Sequence, residues 1–378
     1  MDQIYSSATL QLRHIFGANT MTNNVHMLDK QKVFFLSGNN VVKNKLNENS
    51  MSFISGSENY YKISALCLSQ NKNFLAVAEC GSKPIIYLYD PVSLRKKKFL
   101  AFSEKDSSFK EHVYMRFMAK ETEYLITVTK AETNYLCIWD LNTSSLLAHH
   151  DLGSSNEIYG IDFSYNDNGN FTIVGDGIAM IFNIEGGTLS VVNESILPED
   201  EMSGKVFRCA KYLKKHEFIV YLYDDSDFLI TDLKGAIVNR VKLNYRAYTL
   251  FAANNGIKVF SSSMDNYHYA LNSDNFEFLT LETNKCNIPN FFHSITALDY
   301  LEDNKIGCFI TAQKQLYHFE IKQGKLFIRN VSEDNHTSHI NSVDVAVKKT
   351  LFVTCSSDKT AKIWNYQNCK LETTLNFN

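Results

Sequence analysis

This sequence contains few prolines and few glycines, and it lacks the long apolar runs of a membrane-spanning chain and the high charge of a disordered one. Among 378 residues there are 4 prolines and 16 glycines, too few for a collagen-like or linker-dominated chain. Charged residues make up only 21% and hydrophobic residues 44%, which excludes disorder as the dominant state. No window contains the eighteen or so consecutive apolar residues that a membrane span requires. We therefore expect a globular chain with a large core.

Excess charge and clustered cysteines are also lacking. The 38 basic and 41 acidic residues give a net charge of -3, which argues against nucleic acid or a membrane surface as a partner of the whole molecule. The N-terminus has no basic stretch followed by an apolar one, so no secretion signal is predicted. The 8 cysteines contain no Cys-x-x-Cys pair, and most lie in apolar runs. We expect buried thiols in a reducing compartment.

Short runs of β-branched and aromatic residues, separated by polar turns, recur along the whole chain. The set Ile340–Val347, Leu351–Ser356 and Ala361–Asn365 predicts three strands, and the same order recurs upstream. Similar first strands begin at Ile63, Val113, Ile158, Val206, Tyr248, Ile295 and Ile340, about 46 residues apart. A weaker unit precedes them, at Val25–Leu28, Val33–Ser37 and Asn40–Asn44. Eight units of this period predict an all-β propeller, in which each sheet stacks on the next.

The third strand of most units ends in an apolar or aromatic residue followed by an acidic or amide residue. Asp90, Asp140 and Asn365 are examples, and each is expected to cap the turn that follows it. The last unit resembles a WD repeat most closely, with Asn335-His336 near its start and Trp364-Asn365 at its end. That resemblance implies a buried, hydrogen-bonded structural tetrad of His336, Ser356, Asp358 and Trp364, with Thr354 as the alternative hydroxyl. The other units depart from the pattern.

The N-terminal segment is similar to the opening of the cilia- and flagella-associated WD-repeat proteins with tandem propellers. The residues that carry this similarity are Phe16-Gly17, Thr22–Asn24, Phe35–Lys43 and Phe53–Glu58. The resemblance implies a non-catalytic scaffold of the ciliary or flagellar axoneme, on its cytoplasmic side. Its partners would be inner dynein arm components, doublet microtubule-associated proteins and tubulin. The alternative is a generic cytosolic WD-repeat adaptor, for example in a ubiquitin ligase or a vesicle coat, and an enzyme built on a propeller ranks third.

The sequence does not fix the number of blades in the ring, and seven blades are favoured over eight. We expect one propeller domain over residues 1–378, with repeat units beginning near 22, 62, 112, 157, 205, 246, 294 and 336. Residues 1–21 would supply a closing segment, in which Thr9–His14 alternates apolar and polar residues like an outer strand. Relatives with this opening continue into a second propeller, so the last unit is alternatively the first blade of another ring.

No residue pattern favours a catalytic, cofactor or metal site, and none of the three is predicted. The glycine-containing turns lack the Gly-Lys-Ser/Thr ending of a phosphate loop. The strongest charge run is Arg95, Lys96, Lys97 and Lys98. It is interpreted either as a solvated outer strand or as a contact for an acidic partner such as a tubulin tail.

Overall fold

Strands account for nearly all of the regular structure, as the alternating apolar runs predict. The computed structural model describes residues 12–48, 50–103, 108–118, 124–165, 169–272, 277–286, 294–331 and 335–377. Within these ranges there are 32 strands, one short helix, α1 (Glu199–Met202), and one 3-10 turn at Glu302–Asn304. The predicted all-β class is confirmed.

The strands fall into eight units, each of four consecutive strands. Units 1 to 4 comprise β1 (Val25–Met27), β2 (Lys32–Ser37), β3 (Asn40–Lys45), β4 (Ser50–Ser55); β5 (Lys62–Leu68), β6 (Leu75–Cys80), β7 (Ile85–Tyr89), β8 (Lys96–Ala101); β9 (Glu111–Phe117), β10 (Tyr124–Lys130), β11 (Asn134–Asp140), β12 (Ser145–Asp151); and β13 (Ile158–Phe163), β14 (Asn170–Gly175), β15 (Ile178–Glu185), β16 (Thr188–Asn193). Units 5 to 8 comprise β17 (Phe207–Tyr212), β18 (Phe218–Tyr223), β19 (Asp227–Asp232), β20 (Ile237–Lys242); β21 (Ala247–Ala253), β22 (Gly256–Ser261), β23 (Asn266–Leu271), β24 (Phe278–Cys286); β25 (Ile295–Leu301), β26 (Ile306–Thr311), β27 (Leu316–Lys322), β28 (Lys325–Asn330); and β29 (Ile340–Val345), β30 (Leu351–Ser356), β31 (Thr360–Asn365), β32 (Lys370–Asn376).

Each unit is an antiparallel sheet whose strands follow one another in chain order. In seven units, all except unit 1, the pairing of the first two strands is interrupted by a bulge near the start of the first strand, for example between Ile63 and Ala65. A bulge increases the local twist. The outer strands of units 6 and 7 also pair in parallel, Lys285 with Lys325 and Cys286 with Leu326. These two sheets therefore form one sheet of eight strands.

The core lies between neighbouring units because successive residues of a strand face opposite sides of its sheet. On β10, Leu125 packs into the cluster shared with unit 2, whereas Ile126 and Val128 pack into the cluster shared with unit 4. All three side chains are completely buried. One sheet alone could not bury both faces, so the stacking of units follows from the sequence pattern.

The stacked units close on themselves between unit 7 and unit 1. Seven apolar clusters each join two neighbouring units, and one of them packs Met27 and Val33 of unit 1 against Cys308 and Ile310 of unit 7. The backbone N–H of Met27 also donates to Oδ2 of Asp299 across this junction, at 2.7 Å. Units 1 to 7 thus surround a central axis as the blades of a β-propeller, and these contacts favour seven blades.

The eighth unit stands outside this circuit. Every residue of its first strand, β29, is exposed, including Ile340 at 57%, Val343 at 64% and Val345 at 57%. The third strand of this unit, β31, contacts the N-terminal segment, where the ring of Phe16 lies 4.4 Å from that of Trp364. The side-chain amide of Gln315, in unit 7, also donates to the carbonyl of Asn335.

The proposed closing strand Thr9–His14 begins outside the described residues, which start at Leu12, and residues 12–14 form no strand. Each of the seven packed units supplies four strands of its own. Closure between unit 7 and unit 1 therefore has no need of an outer strand from the N-terminus.

Turn capping by the residue that ends the third strand is confirmed. Oδ1 of Asp90 accepts from the backbone N–H groups of Val92 and Ser93, at 3.0 and 2.7 Å. Asp140 and Asn365 accept in the same way from backbone N–H groups two residues further on. Such Asx turns fix the connection to the outer strand in one conformation.

None of the eight cysteines, all of which lie in the described ranges, forms a disulfide. Cys67, Cys137 and Cys308 are buried, as expected, and burial raises the pKa of Cys67 to about 11. Cys355 is exposed, and the other four are intermediate, less buried than their apolar surroundings predicted.

Candidate functional site

The tetrad of the eighth unit is formed, and its central hydroxyl belongs to Thr354. His336 places Nδ1 2.9 Å from Oδ2 of Asp358 and Nε2 2.7 Å from Oγ1 of Thr354. The indole N–H of Trp364 donates to the same Thr354 oxygen at 2.8 Å. With Nδ1 protonated, the imidazole donates to Asp358 and accepts the Thr354 hydroxyl proton, so every member has a partner.

Ser356, which the sequence analysis placed in the tetrad, lies beside it. Its hydroxyl oxygen accepts from the backbone N–H of Asp358 at 3.1 Å and so shapes the turn. Thr354 and Ser356 are two residues apart on β30 and point to the same face, and only the distances to His336 and Trp364 distinguish them.

The carboxylate of Asp358 anchors two loops. Burial alone would raise its pKa, but hydrogen bonds from the Thr360 hydroxyl, the backbone N–H of Thr337 and His336 together lower it below its ordinary value. Thr360 donates at 2.6 Å and Thr337 at 2.9 Å. Since these hydrogen bonds leave no group aimed at a substrate, the tetrad has the geometry of a structural element.

A related chain of hydrogen bonds in unit 3 was missed by the sequence analysis. The Trp139 indole donates to the hydroxyl of Thr127 at 3.1 Å, which lies 3.4 Å from that of Thr129. Oγ1 of Thr129 is in turn 2.8 Å from Nδ1 of His112. His112 is completely buried, and desolvation lowers its pKa to about 3. The signal was the combination of Trp139-Asp140 with a histidine on the first strand of the same unit.

The basic run lies on the outer edge of unit 2, where Lys96, Lys97 and Lys98 begin β8. Arg95, Lys96 and Lys97 are exposed and Lys98 is partly buried. Lys97 forms an ion pair with Asp90 at 3.0 Å. Lys98 donates to the backbone carbonyl of Leu141 at 2.7 Å and so ties unit 2 to unit 3.

Two members of the run are therefore engaged within the molecule, and the other two are more accessible. The ammonium of Lys96 lies 3.3 Å from the ring centroid of Tyr87, a cation–π contact on the outer surface. Arg95 precedes the strand, at the end of the turn that Asp90 caps. Lys97 and Lys98 thus support the blade, whereas Arg95 and Lys96 face solvent.

Metal-binding clusters and membrane-spanning helices are absent from the described ranges. No group of three or more His, Cys, Asp or Glu side chains converges there in a way that could hold a metal ion. Neither of the two short helical segments described approaches the length and apolar character of a membrane span.

Comparison with known proteins agrees with the architecture. The family model "WD domain, G-beta repeat" matches residues 329–365, which include the tetrad. Cilia- and flagella-associated protein 57 C of Tetrahymena thermophila is 24% identical over 98% of the chain, and cilia- and flagella-associated protein 57 of Mus musculus is 24% identical over 97%. The chain spans about a third of the length of these relatives, 34% of each.

A solved structure extends the comparison to the fold. The Cps50 (Swd1) β-propeller domain of Myceliophteria thermophila superposes with a TM-score of 0.58, covering 80% of this chain and 96% of that one. Its sequence identity is 12%, so this likeness concerns the fold alone. Taken with the ring of blades and the tetrad, these similarities show a β-propeller that contains a WD repeat and resembles cilia- and flagella-associated protein 57.

Proposed function

We propose that this protein is a non-catalytic scaffold of the ciliary or flagellar axoneme. The observation that carries the proposal is the similarity, over almost the whole chain, to relatives from a ciliate and a mouse that are both named as cilia- and flagella-associated. A ring of rigidly packed blades suits this role because it holds several exposed edges in fixed relative positions. The polar groups of the tetrad are satisfied internally, which fits a structural rather than a catalytic use.

The finer proposal is that the ring helps attach or regulate inner dynein arms on doublet microtubules through contacts at its outer edge. Arg95 and Lys96 are the candidate contact residues because both are exposed and neighbour one another at the start of β8. Two adjacent cations at the start of an outer strand complement an acidic surface such as a tubulin tail. Contacts of this kind set orientation and association rate more than affinity.

Expression of the tagged protein in a ciliated cell tests the location. We expect it in the axoneme fraction after detergent extraction of isolated cilia. Recovery only with soluble complexes of the cell body, for example a ubiquitin ligase or a vesicle coat, would instead support an adaptor role.

The contact residues are tested by the double variant Arg95→Glu, Lys96→Glu, which keeps the Lys97 ion pair and the Lys98 contact to the next blade. We expect less incorporation into axonemes with only a small loss of stability, about 0.5–1 kcal/mol, because the variant removes the contact of Lys96 with the Tyr87 ring. The double variant Lys348→Glu, Lys349→Glu changes charge equally at exposed positions of unit 8 and serves as the control. Equal incorporation of both variants would reduce the basic run to a solvated strand.

We also propose that the eighth unit is the first blade of a second ring and not an eighth member of the first. The support is the exposure of Ile340, Val343 and Val345, at positions where the other units are covered by a neighbour. Leu66 on β5 corresponds to Val343 and is only 3% exposed. Val343→Asp should therefore leave the stability of the ring within about 0.5 kcal/mol, whereas Leu66→Asp should unfold it. Similar losses for both would place unit 8 inside the ring.

A further inference from the structure

The centre of the ring is a cavity of about 740 Å³. Its wall is built by the first strands of the seven ring units, from β1 to β25. Residues at the C-terminal ends of these strands meet one another, as when Lys211 on β17 contacts Asp162 on β13. The first strands therefore run in the same direction, and their C-terminal ends surround one opening, which we call the C-terminal mouth. Ligand pockets in proteins have volumes of about 300–1,000 Å³, so this cavity has room for a ligand.

Arg116 lies at this mouth with most of its hydrogen-bonding capacity unused. The nearest carboxylate is that of Asp162, 3.9 Å from Nη2 and beyond hydrogen-bonding distance. Asp162 is committed elsewhere: Oδ1 accepts from Lys211 at 2.7 Å and Oδ2 from the backbone N–H of Tyr212 at 3.1 Å. In the described part of the chain, the long ion pair is the only polar side-chain contact of Arg116, although a guanidinium has five N–H donors.

Arg116 and Lys211, with the carboxylate of Asp162, form one cationic group at the mouth. A second cationic group lies next to it. Lys214 and Lys258 share the carboxylate of Glu302, at 3.2 and 4.0 Å. Lys258 is nearly buried and desolvation lowers its pKa, whereas Lys214 retains 29% of its side-chain exposure. The ammonium of Lys214 is 5.6 Å from the ring of Tyr165, whose pKa is raised by burial and by the neighbouring Asp162. Tyr165 therefore connects the two groups.

The charges at the mouth favour an anion. Each cationic group has two cations and one carboxylate, while Lys72 faces Asp299 and a further carboxylate, Asp303, lies at the rim. Among the described residues, the mouth thus has five cations, Lys72, Arg116, Lys211, Lys214 and Lys258, against four carboxylates, Asp162, Asp299, Glu302 and Asp303. This excess is local, since the chain as a whole has a net charge of -3.

We propose that the C-terminal mouth binds an acidic peptide segment of a partner protein, with a glutamate or aspartate carboxylate paired to the guanidinium of Arg116. The planar fork of arginine matches a carboxylate in a bidentate contact, and this arginine does not have to leave another partner to make it. Lys214 is placed to receive a second carboxylate. Tyr114, Tyr165 and Tyr248 line the cavity and suit a peptide, because tyrosine is enriched where proteins contact one another.

This site differs from the outer edge proposed above and does not depend on a ciliary location. The two proposals can therefore fail separately. Peptide binding at the C-terminal mouth is tested with purified protein alone, whereas the ciliary role is tested by the location of the protein in the cell.

Binding is measured by fluorescence anisotropy with a labelled, end-blocked hexaglutamate peptide and its hexaglutamine counterpart. We expect only the glutamate peptide to bind, with weaker affinity at high salt. Arg116→Gln should weaken binding at least tenfold, and Arg116→Lys should give an intermediate loss because it keeps the charge without the fork. The matched control is Arg208→Gln, because Arg208 lines the same cavity near the opposite end of β17 and is paired to Asp225 at 2.9 Å.

Acetylation of Lys214 gives a second readout, because Lys214 lies at the C-terminal mouth with 29% of its side chain exposed, and the bound peptide should slow its reaction. This readout uses the unmodified protein and remains informative if an Arg116 variant fails to fold. Absence of glutamate-peptide binding, equal losses in the Arg116 and Arg208 variants, or no protection of Lys214 would each overturn the proposal. Displacement of the peptide by inorganic phosphate at equal concentration would also overturn it, because that result indicates a site for free anions.

Discussion

Replacing Met27 by alanine should weaken the junction that closes the ring. Met27 has no exposed surface and packs against Cys308 and Ile310 of unit 7. Truncating a fully buried methionine to alanine typically costs about 2–5 kcal/mol, since the cavity left behind is only partly refilled. This is a large fraction of the roughly 5–15 kcal/mol that stabilises a typical domain.

Met115 provides a matched comparison at another junction. It is also completely buried, in the cluster between units 2 and 3. Denaturant unfolding of Met27→Ala and Met115→Ala should therefore show losses in the same range of about 2–5 kcal/mol. Similar losses are expected only if unit 1 packs on unit 7 as firmly as unit 2 packs on unit 3.

The thiol of Cys308 separates opening at the closing junction from global unfolding. It is completely buried there, and burial raises its pKa, so alkylation requires opening of the junction. A loss of about 2 kcal/mol at this junction increases the open population roughly thirtyfold. Mass spectrometry should show faster alkylation of Cys308 in Met27→Ala than in Met115→Ala under native conditions. A loss below about 0.5 kcal/mol for Met27→Ala, or alkylation of wild-type Cys308 as fast as exposed Cys355, would refute closure between units 7 and 1.

The other predictions concern hydrogen bonds inside the blades. Thr354→Val leaves the indole N–H of Trp364 without its acceptor and should cost about 1–3 kcal/mol, against a smaller loss for Ser356→Ala, as measured by Trp364 fluorescence during unfolding in a Trp139→Phe background. Equal losses would return Ser356 to the tetrad. The pKa of His112, lowered to about 3, implies stability that is present above the ordinary value near 6.5 and decreases as the pH falls from 6.5 towards 3, by up to about 1.4 kcal/mol per pH unit. His112→Phe should remove this component of the pH dependence, and an unchanged slope would contradict the assignment.

The repeat could be predicted from sequence because it depends on local alternation. A strand such as β10 places Leu125 on one side of its sheet and Ile126 on the other. Strands with this alternation recur about every 46 residues along the chain. The period specifies stacking of sheets, but it does not specify which unit meets the first. The closing pair is shown by the contact of Met27 with Asp299, two residues that lie 272 positions apart in the chain.

The tetrad also could be predicted from the sequence only in part. His336, Asp358 and Trp364 lie within one unit and were predicted together, but Thr354 and Ser356 are both hydroxyl residues on one strand face. The choice between them required distances.

Charge patterns were less informative than the tetrad. The basic run was visible in the sequence, yet the acceptor of Lys98 is a carbonyl of the next blade. The sequence did not predict that the cations of the cavity converge, because Arg116, Lys211 and Lys258 lie in different units, far apart in the chain. Only the ring brings them to one mouth.

Exchange of the Met27 amide hydrogen tests the closed ring most directly. This N–H donates to the carboxylate of Asp299 in unit 7, so its protection depends on the contact between the first and seventh units. In amide exchange followed by NMR, the wild-type Met27 signal should persist, and Asp299→Ala should exchange it much faster while the amides of β10 remain protected. Rapid exchange of the Met27 amide in the wild-type protein, with β10 still protected, would contradict a ring closed between units 7 and 1.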